Sequence, residues 1–76
     1  MDELEQLKEH ILSTDSVEQL HALVASLLAE LPYEWLNKEE PWLAIAYQIN
    51  QFGNSDLASI FELANRHCFR LEMELS

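Results

Sequence analysis

The sequence predicts an all-α chain: a small bundle of about four short helices, mostly antiparallel neighbours, forming a single helical domain over residues 1–76. Three observations predict it. Apolar residues recur at spacings of three and four along most of the chain, the signature of one buried helix face. Breakers are scarce, with Gly53 the one glycine and Pro32 and Pro41 the two prolines, whereas a β-fold needs frequent turn residues. The hydrophobic fraction is 49%, ordinary for a globular protein and too high for a disordered acidic tail.

The first helix is expected from Asp2 to Leu12, with Leu4, Leu7 and Ile11 on one face and Leu12 adjacent. Asp2, Glu3 and Glu5 lie in its first turn, where carboxylates complement the helix dipole. Ser13-Thr14-Asp15-Ser16 then interrupts, because short polar side chains compete for backbone hydrogen bonds. The second helix starts at Asp15 or Ser16. Both Ser16 with Gln19 and Asp15 with Glu18 fit a capping box. Its apolar set is Val17, Leu20, Leu23, Val24, Leu27, Leu28 and Leu31. That width marks a core-facing helix, with Leu27 expected inside, and Pro32 ends it.

Residues 32–42 are irregular. Tyr33 to Leu36 has room for a single helical turn. Either Asn37 with Glu40, or Glu40 followed by Pro41 at the first helical position, caps the third helix. That helix runs from Pro41 to Phe52, with Trp42, Ile45, Ala46, Ile49 and Phe52 as its stripe and Leu43 and Tyr47 widening it. Gly53 is the expected left-handed C-terminal cap. Asn54-Ser55-Asp56 opens the fourth helix, which carries Leu57, Ile60, Phe61, Ala64, Cys68, Leu71 and Leu75 inward. The last residues are expected to fray.

Charge narrows the function. The formal net charge is −10. Residues 1–40 hold ten carboxylates against Lys8 and Lys38, a balance of −8. Residues 41–76 hold four against Arg66 and Arg70, a balance of −2. A one-sided field repels anions and attracts basic surfaces. It disfavours anionic lipid and direct nucleic-acid binding, which depend on Lys and Arg. In a helix–turn–helix reading around Gly53, the start of the recognition helix would carry Asp56 and Glu62, unsuited to base readout. A tetratricopeptide reading fits Trp42 and Ala58 but fails at the other signature positions, and there is no second copy.

No apolar stretch approaches a membrane span, and the acidic N-terminus lacks the layout of a signal peptide. Cys68 is the sole cysteine, so no internal disulfide forms and a cytoplasmic location is expected.

Chemistry-bearing motifs are weak. The carboxylates fall at solvated positions rather than as a pair in a dry pocket. Cys68 lies on an apolar stripe, where a thiol behaves as a small hydrophobe. His10, His21, His67 and Cys68 show no metal-ligand spacing, and the histidines are expected at helix rims. The chain is therefore expected not to be an enzyme and to use neither metal nor cofactor.

The candidate partner-binding site is the aromatic–acidic connector: Tyr33, Glu34, Trp35, Glu39, Glu40 and Trp42. Trp and Tyr supply large contact area at low entropy cost, and flanking carboxylates steer in a basic partner. Trp35 is expected exposed and Trp42 in the core. The expected function is a small acidic protein–protein interaction module, an adaptor, chaperone or regulatory subunit that binds a basic or apolar protein surface. The alternative is an acidic nucleic-acid-mimicking inhibitor such as an antitoxin, immunity or phage-encoded decoy protein. Wide stripes on helices three and four also leave room for a homodimer.

Overall fold

The computed structural model describes residues 3–75. The first-turn place of Asp2, the fraying of Ser76 and the side chain of Leu75 lie outside what it describes. Four helices follow in order: α1 (Glu3–Leu12), α2 (Val17–Glu30), α3 (Trp42–Gln51) and α4 (Ser55–Leu75). Among the described residues there is no strand. Not all the helices are short. No breaker follows Gly53, so α4 runs 21 residues, about 31 Å at 1.5 Å per residue.

Local chemistry sets each boundary. Ser13 and Thr14 hydroxyls donate to the His10 and Ile11 carbonyls at 2.8 and 2.7 Å, satisfying the open end of α1. The N-cap of α2 is Ser16, extended at φ −131°, and its Oγ accepts the Gln19 N–H at 3.2 Å. Of the two candidate pairs, Ser16 with Gln19 makes the capping bond, by the Ser16 hydroxyl alone. Leu31 turns extended as α2 ends, the conformation that Pro32 imposes on the residue before it. The Lys38 ammonium donates to the Leu31 carbonyl at 3.2 Å.

Neither expected cap of α3 forms. Asn37 Oδ1 accepts the Glu39 N–H at 3.2 Å and Asn37 Nδ2 donates to Glu40 at 3.3 Å, closing a turn rather than starting a helix. The N-cap position falls to Pro41, which makes no side-chain cap bond. Upstream, the Leu36 N–H donates to the Tyr33 carbonyl at 3.3 Å, one turn that drops Leu36 into the core.

Between α3 and α4, Gly53 takes φ 91°. Its N–H donates to the Asn50 carbonyl at 3.0 Å and the Asn54 N–H to the Ile49 carbonyl at 3.4 Å. That pair of bonds is a Schellman motif. Asn54 Oδ1 then accepts the Leu57 N–H at 3.2 Å and caps α4.

The core is one cluster that draws on all four helices and Leu36. Its organiser is α4, since α1, α2 and α3 all pack on it, α3 most extensively. Ile60, Phe61 and Ala64 are fully covered there, as are Leu20, Ile45 and Ile49 on the helices around it. Two expectations about stripes are corrected. Leu27 is only half-buried, because Leu20, Val24 and Leu28 hold the centre of the α2 face. Phe52 is 66% exposed, because it stands at the C-cap, where the chain has left the helical path.

His67 is also corrected from rim to interior. It is 7% exposed, and its Nε2 lies 2.9 Å from the Thr14 carbonyl. A carbonyl only accepts, so Nε2 carries the hydrogen. The bond ties the α1–α2 loop to α4 and leaves Nδ1 buried without a partner.

Leu20→Ala is expected to cost about 2–5 kcal/mol in a urea melt, and half-buried Leu27→Ala clearly less. Equal costs would place Leu27 inside after all. His67→Ala is expected to cost about 2–4 kcal/mol, through the lost hydrogen bond and the space left behind. A loss under about 0.5 kcal/mol, the range of neutral surface changes, would mean that the Thr14 bond does not form in solution.

Candidate functional site

The connector residues do not assemble into one site. They divide into two groups.

The first is a ring stack. Tyr33 and Trp35 stack at 5.0 Å between centroids with planes 18° apart, and Trp35 and Phe52 at 3.9 Å and 16°. The Leu36–Tyr33 turn brings the two connector rings together, and Phe52 reaches them from the end of α3. Tyr33, Trp35, Ile49, Phe52, Gly53 and Asn54 line a cleft of about 320 Å³ beside the stack. Trp35 is 39% exposed. Phe52 is the ring with most free surface. Glu34 projects into solvent next to this stack in the chain.

Sequence reading missed Phe52 because helical periodicity put it inside. The signal that could have found it was Gly53. A residue just before a left-handed glycine cap no longer follows the helical stripe.

The second group holds Glu39, Glu40 and Trp42. With Pro41 and, from α2 and α4, His21, Asn65, Cys68 and Glu72, they line a separate cleft of about 370 Å³. Trp42 is half-buried rather than in the core. Its ring meets His21 at 4.9 Å between centroids, tilted 46°. Nothing in spacing along the chain announces His21, Asn65 and Glu72 here, because packing on α4 brings them together.

This second cleft gathers a thiol, an imidazole and a carboxylate. The Cys68 thiol donates to Glu72 Oε1 at 3.6 Å, and His21 Nε2 lies 3.8 Å from Sγ. The arrangement favours the protonated thiol. Burial pushes the Cys68 pKa above the ordinary 9.0, and the hydrogen bond to Glu72 and its negative charge push the same way. A nucleophilic cysteine needs the opposite environment, electropositive and open. Among the described residues, no three His, Cys, Asp or Glu side chains are placed to hold a metal ion, and no helix is long and apolar enough to cross a membrane.

No family model, curated protein or solved structure matches this chain.

The raised thiol has a pH consequence. The unfolded chain releases the Cys68 proton more readily than the folded one, so its contribution to stability is complete below about pH 9 and declines above it. Alkylation of native Cys68 by iodoacetamide is expected to rise only at higher pH than in a free cysteine peptide. Glu72→Ala, which removes both the hydrogen bond and the charge, is expected to shift that profile back toward the peptide. A native profile that overlays the peptide's would contradict the buried, carboxylate-bonded thiol.

Proposed function

We propose that this chain is a non-catalytic protein-interaction module, an adaptor or regulatory subunit, which takes a basic, partly apolar segment of a partner protein on its aromatic stack. The observation that carries this reading is the Tyr33–Trp35–Phe52 stack beside an open cleft, with Phe52 66% exposed. Stacked rings are held before the partner arrives, so binding loses little side-chain entropy. An aromatic face accepts a guanidinium or ammonium by cation–π attraction. The net charge of −10 raises the encounter rate with cationic segments. Glu34 adds a carboxylate next to the rings in sequence. The single free thiol suits a reducing compartment such as the cytoplasm.

The residue to test is Phe52, because it is exposed and its truncation spares the core. Immobilised wild-type chain and Phe52→Ala are presented to a lysate of the source cell at low and high salt. The reading expects a partner that the wild type retains at both salts and Phe52→Ala loses about tenfold or more, with melting temperature unchanged. Trp35→Ala is expected to lose binding and some stability together, since Trp35 holds the stack. Binding that vanishes at high salt and is indifferent to Phe52 would instead support mimicry of nucleic acid, where carboxylates stand in for phosphates.

A further inference from the structure

The acidic field of the molecule has one interruption. The sequence holds four Lys and Arg. Lys38 is engaged on the Leu31 carbonyl. Lys8 lies 3.8 Å from Glu5 in an exposed pair, a contact worth little in water. Among the described residues, Arg66 and Arg70 have no ion-pair partner. Lys8 and Arg66 converge, since both line a cleft of about 240 Å³ with Ser59, Glu62 and Leu63. Arg66 also lines the adjoining cleft of about 450 Å³ with Leu43, Glu62, Asn65 and Phe69. Phe69 there is 63% exposed, and Leu43 is also largely open. The outer α3–α4 face thus sets bare apolar surface beside the unpaired Arg66, with Lys8 in the adjoining cleft and Glu62 shared by both.

We propose that this face is a second docking surface, and that its occupant is an amphipathic helix of another protein with carboxylates flanking its apolar ridge. The ridge covers Phe69 and Leu43. The carboxylates meet the Arg66 guanidinium, whose planar fork pairs with them through two hydrogen bonds, and the Lys8 ammonium. A second copy of this chain is the poorer occupant. A two-fold pairing lays the patch on a copy of itself, between two bodies that each carry −10.

The test uses the full chain, isotopically labelled, with a synthetic amphipathic peptide of about four helical turns. Its apolar ridge is flanked by Glu in one version and by Lys in the other. The Glu peptide is expected to shift amides of Leu43, Tyr47, Glu62, Arg66 and Phe69. Arg66→Glu is expected to weaken it about tenfold or more, with the melting temperature unchanged, and added salt to weaken it further. The proposal is overturned if the Glu peptide leaves this face unshifted, or if the Lys peptide binds it more tightly. It is equally overturned if concentrating the chain alone produces the same shifts, which assigns the face to a second copy. The Lys peptide separately reads the Tyr33–Trp35–Phe52 stack, so failure on one face is distinguishable from failure on the other.

Discussion

The structure depends on the covering of α4. This helix buries one wide stripe along 21 residues. Leu57, Ile60, Phe61, Ala64, His67, Cys68 and Leu71 line it from end to end, a length that the 10-residue α1 or α3 alone cannot cover. Three helices pack on it instead. Ala58 and Ala64, both buried, are small enough to let neighbouring backbones approach. A chain of this size buries a limited share of its surface. It therefore gains most by gathering its apolar area around one axis rather than dividing it among separate helix pairs. His67 supplies the polar component of the same arrangement. Its bond to Thr14 secures the α1–α2 loop, at the expense of an unpartnered ring nitrogen.

The elements were legible where a local rule decides the outcome. Ser16 and Gln19, the extended Leu31 before Pro32, the left-handed Gly53 and the Asn54 cap each depend on a few neighbouring residues. Chain periodicity with capping chemistry was enough to find them. The all-α bundle followed. The connector was harder, because Asn37 had two local uses and the turn won. Tertiary facts were less legible still. Periodicity says that Leu27 and Leu20 share a face, but not which stands nearer α4. It says that His67 neighbours Cys68, but not that a carbonyl from a distant loop awaits it. The candidate site shows the same limit. Composition found an aromatic–acidic connector, yet the distribution of its rings was decided by Phe52 and His21, which lie outside it. Phe52 draws Trp35 one way and His21 meets Trp42 elsewhere.

Charge and apolar exposure are organised together on this surface. The carboxylates far outnumber the cations, and the free aromatic stack sits at the end of the most acidic part of the chain. The exposed Leu43 and Phe69 on the outer α3–α4 face occur beside Arg66. Exposed rings on a protein this small risk self-association. Charge set beside each apolar patch limits that risk, since it penalises an uncharged apolar partner. The same net charge favours solubility, so the acidic surface needs no mimicry of a polyanion to account for it.

Gly53 links the stability of the fold to the geometry of the ring stack. As the C′ residue of α3 it closes the Schellman bonds to Asn50 and Ile49, and through Asn54 it launches α4. It also fixes where α3 stops, and therefore where Phe52 points. Ile49 belongs to both sides of this link: fully buried in the core, it also forms a wall of the ring cleft. A side chain at Gly53 would meet no atom within 4 Å, so space is not what demands glycine there. The demand comes from φ 91°, a backbone region that L-residues adopt only with strain. Relaxing that strain would swing Phe52 off Trp35 and loosen the α3–α4 junction in one motion. The ring stack is thus an outward extension of the helix cap, built on Ile49 and the α3–α4 packing beneath it.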